Sequence, residues 1–302
     1  MQFTIFQDSR KGSRRVNQDR IAYTYGRDTL LLVVADGMGG HVGGEIAAQI
    51  CVRLFIERFQ QEAKPVLRNP LAFLQDSMMR AHQALGSYAN QFSMLETPRT
   101  TCVACVVQAG RAYWAHCGDS RLYLFRHGKL IGQTKDHSKV QYLVDQGVIG
   151  TTTALNHPDR NRIFSCLGGV VDPVIDLGPR IPLRNGDLIV MCTDGLWSVF
   201  SKDEIANLLT ATPVLQTAPK MMDAAEARGG DEGDNLSAIV VRWGKDEPQS
   251  MITETMNLGE FQTLIDHTLS LADRAGASRD FTEDEIERAI AEIQATIQRY
   301  RR

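Results

Sequence analysis

Two kinds of apolar period run along this chain. Between Glu45 and Gln60, the residues Ile46, Ile50 and Leu54 fall on one stripe. Between Leu71 and Tyr88, the positions Leu71, Leu74, Met78, Ala81 and Leu85 recur at helical spacing. The pattern predicts two helices packed as antiparallel neighbours. "SKDE" at Ser201 to Glu204 has the form of a capping box ahead of Ile205, Leu208 and Leu209, so a further helix is expected there. Elsewhere the apolar runs are short and rich in strand formers: "LLLVVA" from Leu30, "TTCVACVV" around Cys102 and Cys105, Trp114 to Cys117, "DLIVMC" before Asp194, and Leu236 to Trp243. "LYLFRHGKLIGQT" reads as a hairpin turning at His127 and Gly128. Hairpins alternating with helix pairs favour a layered α+β domain over a doubly wound parallel sheet.

The strand signals stop near "WGKDEPQS", which divides the chain into a mixed segment, 1–244, and a helical extension, 245–302. In the extension, Leu258, Phe261, Ile265 and Leu269 predict a helix from about Asn257 to Arg274. Thr282 and Glu285 form a capping box ahead of Ile286, Ala289, Ile290, Ile293 and Ile297, with acids early and arginines late as the macrodipole favours. Packing back on the first segment, self-association and partner docking are all open to such a face.

Charge changes the picture little. The extension has 7 basic against 12 acidic residues, net −5, which leaves +2 for the first 244 residues of a chain whose total is −3. Neither part has the charge of a nucleic-acid binder. The apolar runs fall far short of the ~20 residues that span a bilayer, so no membrane partner is expected. "MQFTIFQDSRKG" has no secretory pattern, which places the chain in the cytoplasm, where disulfides are not expected. Cys102 and Cys105 are spaced like a zinc or redox pair, but on a strand residues three apart face opposite ways. Buried reduced thiols are expected and no zinc site.

Candidate chemistry enters with "VVADGMGGHVGGE", where an apolar run ends at Asp36 and glycines follow. A lone Asp-Gly after a strand is ordinarily a hairpin turn. The same construction, however, delivers Asp194 in "MCTDG", Asp119 in "HCGDSR" and Asp234 in "GDNLSAIVV". Strand ends in neighbouring sheets can gather such carboxylates at one edge, where they repel unless a cation or proton intervenes. Hard oxygen ligands point to Mg²⁺ or Mn²⁺.

The strings "RRVNQDR", "VVADGMGGHVGGE", "TTCVACV", "WAHCGDSRLYLF", "TKDHSKVQYLVDQGVI", "NHPDRNRIFSCLGG", "GDLIVMCTDGLW" and "GDNLSAIVV" stand in the order and spacing of the type 2C family, the bacterial metal-dependent serine/threonine protein phosphatases, which residues 1–244 resemble. The resemblance implies a four-layer α/β/β/α sandwich, two antiparallel sheets flanked by helix pairs, with metals at one edge. It implies two Mn²⁺ or Mg²⁺ ions bridged by Asp36, with the Gly37 carbonyl on one ion and Asp194 and Asp234 on the other. Asp19 matches the acid that holds metal-bound waters, and Asp119 a ligand of a third, weaker ion. Arg14 occupies the phosphate-binding position, where a guanidinium engages two oxygens. The implied reaction is hydrolysis of phosphoserine or phosphothreonine in proteins by a hydroxide bridging the ions, with a phosphoprotein produced by a bacterial serine/threonine kinase as substrate. A catalytically dead phosphoprotein-binding module and a small-molecule phosphoesterase are the alternatives.

Three places depart from or qualify the pattern. Met38 stands where animal relatives have a histidine, and His41, three residues later, is either a proton donor or a residue at the helix start. Arg99 precedes Thr100 and Thr101 in place of a small residue. Asp119 in "GDSR" has a rival reading as a turn residue paired with Arg121. The segment Ser138 to Asp172 corresponds to the family's mobile flap and is where substrate choice is expected.

Overall fold

The computed structural model describes residues 1–38, 43–150, 153, 157–160, 162–210, 213–244 and 262–265, the last four as backbone alone. His41 and the capping box at Thr282 lie outside the described residues. Twelve strands among the described residues form two antiparallel sheets. The first sheet orders β1 (Phe3–Arg10), β11 (Leu236–Trp243), β10 (Leu188–Cys192), β6 (Arg121–Arg126) and β7 (Lys129–Gln133). The second orders β12 (Gln262–Ile265), β2 (Asp19–Tyr25), β3 (Thr29–Asp36), β4 (Cys102–Gln108), β5 (Arg111–Cys117) and β8 (Asp176–Leu177), with β9 (Ile181–Pro182) also on β5.

The layers follow from period two in the strands and 3.6 in the helices. On β3, Leu30, Leu32 and Val34 face the space between the sheets, where they meet Ile189, Met191, Ile239 and Val241 of the first sheet. The alternate residues Leu31, Val33 and Ala35 face α1 (Gly44–Glu62) and α2 (Pro70–Gln91). On the far side, Val190, Cys192 and Val240 pack under α5 (Lys202–Thr210) and α6 (Val214–Gly229). Two shorter helices, α3 (Lys139–Asp145) and α4 (Asp194–Trp197), sit at the sandwich edge. Because the sheets are covered on both faces, β3 reads as a continuous apolar run with no visible alternation.

The local signals behave as expected. Ser201 Oγ accepts from Glu204 N–H while the Glu204 carboxylate accepts from Ser201 N–H at 2.8 Å, so the capping box opens α5. His127 and Gly128 both take positive φ, 49° and 74°, as a primed hairpin turn requires. Cys102 and Cys105 belong to different cores, and the six thiols are free.

One expectation fails within the described residues. The helix predicted over Asn257 to Arg274 is replaced at Gln262–Ile265 by β12, antiparallel to β2 with Gln262 opposite Tyr25 and Ile265 opposite Ala22. Without it β2 would be an edge strand with a row of open N–H and C=O groups, and a short segment containing Thr263 and Ile265 meets that demand better than helical periodicity does.

Candidate active site

Sheet register builds the site. Asp19 opens β2 and Asp36 closes β3, directly opposite one another in the antiparallel pair. Asp194 begins α4 just beyond β10, Asp234 stands two residues before β11, and Asp119 follows β5 after Gly118. Five strand ends therefore deliver five carboxylates to one edge of the sandwich. Asp19 and Asp119 are buried, while Asp36, Asp194 and Asp234 are partly open to solvent.

The backbone around Asp36 is held from both sides. Thr101 N–H donates to the Asp36 carbonyl at 2.8 Å, Thr100 Oγ donates to the same oxygen at 2.8 Å, and Asp36 N–H donates to Thr101 Oγ. Gly37 N–H donates to the Gln18 carbonyl. A Cβ on Gly37 would lie 2.2 Å from the Gly44 carbonyl, so glycine is required where the chain folds back against the start of α1. Gly118, at φ +105°, backs onto Thr101 in the same way and sets the position of Asp119. Arg99 does not disturb this geometry: its carbonyl accepts from Met38 N–H at 3.0 Å.

The electrostatics are those of crowded acids. Loss of water raises Asp36 well above the usual carboxylate range, and repulsion from Asp19, Asp194, Asp119 and Asp234 adds to it. Asp194 is raised well above the range by burial, then by Asp119, Asp234 and Asp19. Burial pushes Asp119 up to about 7, and Asp19 up to about 6 against the opposing hydrogen bond from Thr193. Asp19 Oδ2 accepts from Thr193 Oγ at 2.8 Å, whereas its Oδ1 is buried with no partner. An orphaned carboxylate oxygen amid mutually repelling acids is what hard dications satisfy, so the residues present fit Mn²⁺ or Mg²⁺.

Partners bear on two sequence readings. Arg121 is bidentate to Asp136 at 2.7 and 2.8 Å and lies 3.7 Å over the Trp197 ring, so it is committed to Asp136 rather than to a turn with Asp119. Arg14 reaches the site but pairs with Asp234, its Nε at 2.8 Å from Oδ1 and a terminal nitrogen at 2.6 Å from Oδ2. Two residues expected to serve phosphate and metal thus engage each other here. Arg14 nevertheless stays 58 % exposed, with a face toward solvent.

Sequence reasoning missed the polar frame behind these carboxylates. Thr193 donates to Asp19 and accepts from Ser237 N–H. Asn235 ties the Gln18 amide to the carbonyls of Lys11 and Val16, closing the loop that carries Arg14. Their only sequence signal was adjacency to Asp194 and Asp234.

Residues 7–236 match the sequence profile of the family described as Protein phosphatase 2C. The chain belongs to that family. Among type 2C relatives, it is 34 % identical over 233 residues to the serine/threonine protein phosphatase PstP of Mycobacterium tuberculosis, covering 77 % of this chain but 43 % of PstP. The chain therefore spans under half the length of that curated relative. The serine/threonine phosphatase stp of Listeria monocytogenes is 28 % identical over 240 residues, covering 78 % of this chain and 94 % of its own. The crystal structure of M. tuberculosis PstP superposes with TM-score 0.68 at 32 % identity, over 80 % of this chain and 98 % of that one. A second structure, the PstP catalytic domain in complex with two manganese ions, gives TM-score 0.67 at 31 % identity over 80 % and 97 %. The two-sheet α+β architecture is that of bacterial type 2C phosphatases.

Proposed function

We propose that this chain is a metal-dependent protein phosphatase that hydrolyses phosphoserine and phosphothreonine in proteins. The observation that carries the reading is the convergence of five strand-end carboxylates, with an orphaned buried oxygen on Asp19, in a fold whose relatives are serine/threonine phosphatases.

Asp36, Asp194 and Asp234, with the Gly37 carbonyl, are the groups that would hold two Mn²⁺ or Mg²⁺ ions. Asp119 would serve a third, and Asp19 would orient water at the first two. Bound ions supply positive charge that neutralises the carboxylates and the phosphoryl oxygens, and they acidify water at neutral pH. The chain's own residues do the rest. Arg14, half-exposed and bidentate to Asp234, has the planar fork that would engage two phosphoryl oxygens. Asp19, fixed by Thr193, holds a proton acceptor against the reacting water. Thr100 and Thr101 clamp the backbone of Asp36 so that the carboxylate need not reorganise.

Residues 1–244 are the catalytic unit, in keeping with a family match that ends at residue 236, and 245–302 an extension that returns to that unit at β12. The substrate must be supplied by an ATP-dependent serine/threonine kinase, which places the enzyme in the cytoplasm beside it, in signal transduction. The extension docks a partner or a second copy, and the flap from Ser138 to Asp172 selects among phosphoproteins. The test is phosphate release from a phosphothreonine peptide with Mn²⁺, against excess chelator and against Asp194→Asn. Release by metal-loaded wild type alone upholds the reading. A folded, loaded wild type that releases nothing from several phosphopeptides sinks it in favour of a binding module, and release only from small phosphate esters favours the phosphoesterase.

A further inference from the structure

A second cluster lies behind Asp119, on the far side of Gly118. His116 on β5 faces Asp176 on β8 as a direct cross-strand pair. His137, just before the cap of α3, lays its ring against that of His116, centroids 4.6 Å apart, and Phe164 stacks on the other side at 5.5 Å. One nitrogen from each imidazole and a carboxylate oxygen of Asp176 all lie within 4.8 Å of one another. Both histidines are almost fully buried, at 3 % and 4 % exposure, while Asp176 opens to solvent.

Backbone partners assign the ring protons. His116 Nε2–H donates to the Lys135 carbonyl at 2.6 Å, which leaves a lone pair on Nδ1. That Nδ1 is buried and has no partner. His137 Nδ1 accepts from Gly118 N–H at 3.2 Å, which puts its proton on Nε2, 3.5 Å from Asp176 Oδ2 and otherwise without a partner. Burial holds both imidazoles in the neutral form that metals bind.

We propose that His116 Nδ1 and the Asp176 carboxylate are protein ligands of a transition-metal site of the Zn²⁺ class, distinct from the aspartate cluster. His137 is its positioning residue, donating Nε2–H to the carboxylate oxygen that does not ligate. An unpartnered imidazole lone pair fixed by a carbonyl on the opposite ring nitrogen is the arrangement of a metal-binding histidine, and a nitrogen–carboxylate donor set favours Zn²⁺ or Co²⁺ over Mg²⁺. Water on the open side of Asp176 completes the coordination. The ion joins β5 to β8, and His137 ties it to the near root of the flap segment, whose far root is Asp172, four residues before Asp176. His137 N–H also donates to the Gly118 carbonyl at 2.9 Å, so the same ion braces the residue that positions Asp119.

The test uses the full chain with excess Mg²⁺ present to occupy the aspartate cluster, and Co²⁺ as a visible-absorption probe. One saturable equivalent of Co²⁺, displaced by Zn²⁺, is expected in wild type and in Asp36→Asn. It is lost in His116→Ala and in Asp176→Asn. The second of these alters a solvent-facing side chain, so its fold is maintained even if His116→Ala does not fold. His137→Gln keeps a donor and binds about 10–100-fold more weakly. Binding that survives both His116→Ala and Asp176→Asn, or a folded wild type that takes up no Co²⁺, overturns the proposal; so does a crystal grown with Zn²⁺ that shows only a water between the rings. None of these readouts depends on phosphatase activity.

Discussion

Leu32 and Asp36 stand four residues apart on β3, and withdrawal from water acts on them with opposite sign. Leu32 lies between the sheets among Ile189, Met191 and Ile239, where loss of water is the main source of stability. Asp36 ends the same strand among four other carboxylates, where the same loss of water raises its proton affinity and strains the fold. The sandwich interior is built to be stable as it stands; its edge is built to be stable only with a counter-charge. That difference separates the part of the molecule that folds from the part where the chemistry is proposed, and each of the following substitutions should break or sharpen it.

The largest effect is expected on catalysis. Asp194→Asn should lower phosphate release by about 10³-fold or more, since several kcal/mol of charge stabilisation depend on the ions it would hold; rates measured at saturating Mn²⁺ would show it, and near-normal rates would remove Asp194 from the site. Arg14→Ala should reduce kcat/KM by about 10²-fold, the value of a bidentate charged hydrogen bond, with Arg14→Lys recovering little of it. For stability, Leu32→Ala should destabilise by about 2–5 kcal/mol in urea, metal or no metal. Asp36→Asn should do the reverse in chelator, raising stability by about 1–2 kcal/mol while abolishing activity; a destabilised, inactive variant would mean that the carboxylate is structural. The smallest effect probes acidity. Asp19 and Asp119 have folded pKa values raised to about 6 and about 7 from 3.8, so the folded metal-free protein holds protons that the unfolded chain has released. Their contribution makes metal-free stability fall as pH rises from about 4 to about 7, and saturating Mn²⁺ should abolish or invert that slope in thermal melts.

Legibility followed the same division. Helical periodicity placed α1 and α2 to within three residues at each end, and the Ser201–Glu204 capping box gave the start of α5, because these signals are local and the structure leaves them intact. Where a demand came from elsewhere, local pattern failed. Ile265 belonged to a helical stripe with Leu258, Phe261 and Leu269, yet the open edge of β2 takes Gln262–Ile265 as a strand. Arg14 was legible as a residue of the site, but its engagement with Asp234 was not, since 220 positions separate the two.

The chain's linear order thus determined its family, its layered α+β class and the identity of the acids, because motif chemistry and short-range periodicity are written in neighbouring residues. Only the tertiary structure decided how those acids compensate one another. The opposition of Asp19 to Asp36, the orphaned Asp19 oxygen behind Thr193, the commitment of Arg121 to Asp136, and the meeting of His116, His137 and Asp176 all arise from strand register and loop closure. Coulombic energy and hydrogen bonding depend on distance in space, and that distance is fixed by the packing of two sheets and not by position along the chain.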